Sequence, residues 1–211
     1  MRWTGPLPKL GLALIIGLAA PDARAAADGP TAFVTDLGNR VLRLVGDTQM
    51  PSAERKKQFE RLTDQAFDVP QIAQFVLGRY WRTADDDQRR QFLAAFEGYM
   101  VEVYWSRFTR YSGGTFKISG ERPAGGDETM VSMLIERPYR QSTVNDKQSP
   151  AQQPITVEWR IRREGGGYKI IDASVDGVSQ ALTYRQEFAS IMAREGGVPG
   201  LIGELRRKAS G

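Results

Sequence analysis

Residues 155–175 read ITVEWRIRREGGGYKIIDASV, and the reading of the fold starts from them. Ile155, Val157, Trp159 and Ile161 alternate with Thr156, Glu158, Arg160 and Arg162. That period of two marks a strand with one apolar face. Gly165-Gly166-Gly167 reads as a hairpin turn, and Tyr168 to Val175 return as a partner strand. Upstream, Val131, Met133 and Ile135 share one side of a strand over 128–137. Before it, Phe116, Ile118 and Gly120 alternate with Thr115, Lys117 and Ser119. Four consecutive strands joined by turns predict an antiparallel sheet with one solvated face.

Helical spacing surrounds this block. Residues 31–46 place Phe33, Leu37, Val41, Leu44 and Val45 on one face. Residues 52–67 do the same with Phe59, Leu62 and Phe67, behind a Pro51 suited to a first helical turn. Pro70 breaks the chain at Asp68-Val69, and a third helix is predicted over 70–82. Thr83-Ala84-Asp85-Asp86 then starts a long helix that Ser112-Gly113-Gly114 ends near Tyr111. In it Phe92, Phe96, Tyr99 and Val103 follow i, i+4, i+7, i+11, with Leu93, Met100 and Tyr104 one step round. That apolar arc is wider than a simple packing seam. It suits packing on the sheet, and equally the wall of a ligand cavity. Helices over 181–194 and 199–208 close the chain, the last ending in Arg206-Arg207-Lys208. The expected fold is α+β: a four-stranded antiparallel curved sheet with helices packed on one face, without internal repeats.

The chain is 211 residues long. Its start has the three-part layout of a secretory signal: Arg2 and Lys9, an apolar run over 10–20, then Ala23-Arg24-Ala25 as a cleavage site. Ala25-Ala26-Ala27 fits cleavage equally well, and the apolar run is too short to span a bilayer. Residues 1–25 are therefore read as a signal peptide and 26–211 as a single domain. Cleavage removes three bases and one acid, so the formal charge falls from +4 to +2. Such a balance gives no reason to expect nucleic acid as a partner.

The chain has no Cys and no His. Thiol nucleophiles, thiolate or imidazole metal sites and His-dependent triads are excluded. No phosphate-binding glycine loop, G-x-S-x-G elbow or S-x-x-K dyad occurs. Asp85-Asp86-Asp87 could meet a cation, but three successive helix residues diverge, and a dipole-favoured cap is the simpler reading. Asp172, in a mostly apolar strand, could act as a general base or as a structural acceptor of backbone N–H groups. Arginines cluster at Arg79/Arg82, Arg89/Arg90, Arg107/Arg110 and Arg160/Arg162/Arg163, as a solvated face or a surface for anionic partners. The 138–154 connection is long for a hairpin.

Several segments form an ordered set. They include Phe75-Val76-Leu77-Gly78-Arg79-Tyr80-Trp81-Arg82-Thr83, Gln88-Arg89-Arg90-Gln91-Phe92-Leu93-Ala94-Ala95-Phe96-Glu97 and Val157-Glu158-Trp159-Arg160. Tyr168-Lys169-Ile170-Ile171-Asp172, Asp176-Gly177-Val178-Ser179 and Thr183-Tyr184-Arg185-Gln186-Glu187-Phe188 follow. The set resembles the MlaC family of periplasmic phospholipid-binding proteins, of toluene-tolerance type, including its hopanoid-associated HpnM branch. It departs at Asp176, where the family usually has Glu. The resemblance implies a monomeric, non-catalytic carrier without cofactor or metal, its apolar cavity enclosed between sheet and helices. Its ligand would be a phospholipid or a hopanoid-like lipid. Its partners would be the lipid-binding subunit of an inner-membrane ABC transporter and an outer-membrane lipoprotein complex. Cavity candidates are then Phe92, Phe96, Tyr99, Met100, Val103, Val131, Met133, Ile135, Val157, Trp159 and Ile161. A cone-shaped α+β enzyme with Asp172 as base and a non-catalytic adaptor docking a membrane complex are the rival readings.

Overall fold

A computed structural model describes residues 29–109, 113–136 and 154–210. The expected signal segment, the end of the long helix at Tyr111 and most of the 138–154 connection lie outside these residues. The chain begins with α1 (Gly29–Gly46), α2 (Ser52–Ala66), α3 (Val69–Leu77), α4 (Tyr80–Thr83) and α5 (Asp86–Thr109). The strands follow as β1 (Thr115–Gly125), β2 (Glu128–Glu136), β3 (Ile155–Glu164), β4 (Gly167–Val175) and β5 (Val178–Ser179). Two further helices, α6 (Gln180–Arg194) and α7 (Val198–Ala209), come last.

The sheet is antiparallel in sequence order, β1-β2-β3-β4-β5. Register sets the faces. Val157 pairs with Met133 and Val175, and Trp159 with Val131 and Ala173, so one face gathers the apolar row. Expected with four strands, the sheet has five. The fifth is two residues long, too short for any periodicity to show. It forms because Asp176 and Gly177, at φ 48° and 82°, make a tight left-handed turn after β4. Strand β1 also runs past its expected end, through Pro123, which an edge strand tolerates.

The expected helix over 70–82 is two helices. Gly78 takes φ 59°, and a Cβ there would stand 3.2 Å from the Arg185 guanidinium. The chain stops, turns and resumes as α4.

Caps and ties fix the helices. Asp68 accepts from the Gln71 N–H at 3.0 Å and starts α3. Asp85 and Gln88 cap α5 reciprocally. Asp86 and Asp87 pair with Arg89 and Arg90, so the acidic run is spent on the helix start. Lys169 on β4 donates to the carbonyls of Asp64 and Gln65 at the end of α2, at 3.0 and 2.9 Å.

Three apolar clusters result. Phe92, Phe96 and Tyr99 of α5 meet Tyr184 and Phe188 of α6 edge-on, over Leu201 and Leu205 of α7. Val131, Met133, Ile161 and Ile170 of the sheet pack under Val34 and Ala66. Leu44, Val45, Phe59 and Leu62 close on Val101 and Trp105. Helix α5 therefore lies chiefly along α7, with α2 and α3, rather than flat on the sheet.

Candidate functional site

Where the three clusters fail to meet, a cavity of about 220 Å³ remains between sheet and helices. Helix α1 contributes Leu37, Gly38, Val41 and Leu42, and α2 contributes Phe59, Leu62 and Thr63. Phe67, Val69 and Ile72 come from the α2–α3 junction, and Phe96, Met100, Tyr104, Arg107 and Phe108 from α5. The sheet supplies Phe116, Met133, Ile135, Ile155, Val157, Trp159, Ala173 and Val175. Thr63, Tyr104, Arg107, Thr115 and Gln180 add the polar side chains, and among the described residues of the wall Arg107 alone carries a formal charge. Thr63 already donates to the Phe59 carbonyl at 3.0 Å. A space walled so largely by carbon stays dry and suits hydrocarbon.

Local sequence explains the walls. The tip of the Phe116 ring can reach α1 because position 38 is glycine. A Cβ there would come within 2.7 Å of the Phe116 ring. Strand parity turns Val157 and Trp159 inwards. Ion pairs on the opposite face, Arg122–Glu158 at 3.1 Å and Arg160–Glu128 at 2.6 Å, keep the alternate residues out. The Trp159 ring meets Phe67 edge-on, and its indole N–H is buried without a partner among the described residues.

Six of the eleven expected residues line the cavity: Phe96, Met100, Met133, Ile135, Val157 and Trp159. The others pack elsewhere. Phe92 and Tyr99 belong to the helical cluster, and Val103 packs against it. Val131 and Ile161 are fully buried under Val34 and Ala66. Asp172 is not on the wall. Its carboxylate accepts from the Ala173 and Ala181 N–H groups at 2.8 and 3.1 Å, and from the Ser179 hydroxyl at 2.6 Å. It ties β4 to the start of α6, the structural role weighed for it.

Tyr104 of the wall has two phenols of the helical cluster near it, Tyr99 and Tyr184. Tyr99 lies 5.9 Å from Tyr184 between ring centroids. Burial pushes all three phenols above their ordinary range, so they stay neutral at physiological pH.

Comparison with known proteins places this architecture. A family model described as MlaC protein matches residues 35–207. The chain belongs to the MlaC family. One relative, the intermembrane phospholipid transport system binding protein MlaC of Haemophilus influenzae, is 26% identical over 137 residues. That alignment covers 64% of this chain and 59% of the relative, so the chain spans about three-fifths of that protein's length. Among solved structures, a phospholipid-binding protein from Ralstonia solanacearum, determined with a phospholipid bound, superimposes with a TM-score of 0.68 at 20% identity. The match covers 85% of this chain and 96% of that one, and shows that the fold is shared.

Within this MlaC fold, sequence reasoning missed the contribution of α1 and α2 to the wall. The signal was present. Leu37 and Val41 share the apolar face of α1, and Gly38 beside them marks a close approach. Phe108 continues the Phe96, Met100, Tyr104 row at intervals of four, beyond the stripe that was read.

Proposed function

We propose that this chain is a periplasmic carrier that holds the acyl chains of a phospholipid in the cavity. It passes them between the outer membrane and an inner-membrane ABC transporter, maintaining lipid asymmetry. The observation that carries the reading is the apolar wall: among its 26 described residues, one is charged. Withdrawing a methylene from a bilayer costs about 0.8 kcal/mol, so a chain of about 15 methylenes costs roughly 12 kcal/mol. A carrier must return nearly all of that, which only a dry, carbon-lined space can do. The MlaC family membership, the phospholipid in the fold neighbour and the transport-system name of the relative support the same reading. In it, residues 1–25 direct export, 26–211 work as a monomer, and no cofactor, metal or reaction is needed.

The test is native mass spectrometry of the exported chain, purified without detergent. A stoichiometric added mass that is lost on denaturation and extracts as phospholipid is the expected result. A lipid-free protein that takes up nothing from liposomes would overturn the reading. Val157→Glu, which puts a carboxylate in the wall, is expected to fold and to lose at least nine-tenths of its loading. Ile135→Glu should do the same nearer the sheet end. Full loading of folded Val157→Glu would remove β3 from the site.

A further inference from the structure

The one charged side chain among the described residues of the wall sits at one end. Arg107 is in the last turn of α5, exposed to solvent while still lining the cavity. Its neighbours on the wall at that end include Thr115 at the start of β1 and Gln180 at the start of α6. Register puts Thr115 and Gln180 at the same end of the sheet. Thr115 pairs with Glu136, Ile135 with Ile155, and Val157 with Val175, just before the turn into β5 and α6. Arg107 and Thr115 are the exposed residues of the described wall, so the cavity opens to solvent at this end, and no other described residue of the wall carries charge.

Among the described residues Arg107 forms no ion pair. Glu136, also at this end, is held by Lys117 at 3.5 Å. The guanidinium lies over the Tyr104 ring, 5.6 Å from its centroid, which limits its freedom without using its N–H donors. A planar fork of donors with no carboxylate suits a phosphodiester, which it can hold through two parallel hydrogen bonds. A neutral lipid would leave those donors to water.

We infer that Arg107 binds the phosphate of the cargo lipid at the cavity mouth, making the carrier selective for phosphate-bearing diacyl lipids over neutral lipids of equal apolar bulk. The inference rests on the carrier reading above and adds a headgroup site to it. Acyl chains fill the carbon-lined interior, and the glycerol phosphate is left level with the last turn of α5. A bland alternative is that Arg107 only offsets the negative end of the α5 dipole. That role affects stability and not the choice of lipid, so the two can be separated.

The experiment uses the full exported chain, delipidated and incubated with phosphatidylglycerol vesicles carrying a tenth of diacylglycerol with the same acyl chains. Native mass spectrometry reads the ratio of the two lipids bound. Arg107→Gln is expected to lower the phosphatidylglycerol-to-diacylglycerol ratio roughly tenfold relative to the unsubstituted chain, the scale of a charge-assisted hydrogen-bond pair. Arg107→Lys keeps the charge but not the fork and should fall between them, which covers the case of an Arg107→Gln protein that does not fold. An unchanged ratio in a folded variant would overturn the inference and leave the carrier reading intact. Absence of any lipid on the unsubstituted chain would overturn the carrier reading itself.

Discussion

Glu97 on α5 faces Asp64 on α2 in the seam beside the cavity. Burial, then the hydrogen bond and charge of Asp64, with Glu60 adding, hold its carboxyl above the ordinary value of 4.5. A carboxyl raised in the folded state binds its proton more tightly there than in the unfolded chain. Stability therefore falls as pH rises through the window that opens at 4.5, and the penalty is complete once pH has passed the folded-state value. Glu97→Gln is expected to raise Tm at pH 7, with the gain fading towards pH 4. An equal gain at both pH values would assign it to packing instead. At this scale the sequence was partly legible. Strand parity turned Val157, Trp159, Met133 and Ile135 inwards, and it could do no more. Parity gives a residue's face and not its depth along the strand, so Val131 and Ile161 were grouped with the wall though helices cover them. On α5 the i, i+4, i+7 stripe was real, but it serves two partners. Phe92 and Tyr99 turn to α6, Phe96 touches both α6 and the cavity, and Met100, Tyr104 and Phe108 turn to the cavity.

The elements were more legible than their connections, because periodicity reports a segment's own geometry and says little about what it touches. Arg162 illustrates the difference. By alternation it belongs among the solvated cations of β3, beside Arg160. It instead reaches back to the start of α3. There it meets Asp68 at 2.6 Å and also donates to Gln71. With the backbone bond from the Asp68 N–H to the Ile170 carbonyl at 2.9 Å, this pins the α2–α3 junction to the sheet and sets the height of the cavity roof. The pair is mostly buried, with side chains 24% and 15% exposed. Arg162→Met is expected to cost about 2 kcal/mol, roughly 4–8 °C in Tm. A double-mutant cycle with Asp68→Asn reads the pair directly. A coupling below about 0.5 kcal/mol would mean that the junction is held by its backbone bond alone.

At the scale of the whole molecule, the cavity is a deliberate fault in packing. Three well-filled clusters surround a space that none of them fills, and the interior of an ordinary domain would not leave it so. An unfilled cavity costs about 24 cal/mol per Å³, which for 220 Å³ comes to at most about 5 kcal/mol. The bound state should recover much of that, since a ligand that fills the space restores the missing dispersion contacts. Delipidated protein, refolded from denaturant, is accordingly expected to melt roughly 5–15 °C below the lipid-loaded form. Hydrogen exchange should locate the loosening in α1 and α2, wall elements that lie outside the α5–α6–α7 cluster, and leave that cluster protected. Equal melting temperatures would mean that the helices close over the empty space, so that loading must reopen it. Reloading from liposomes would then become slower on cooling, with the steep temperature dependence of an opening step rather than that of simple insertion.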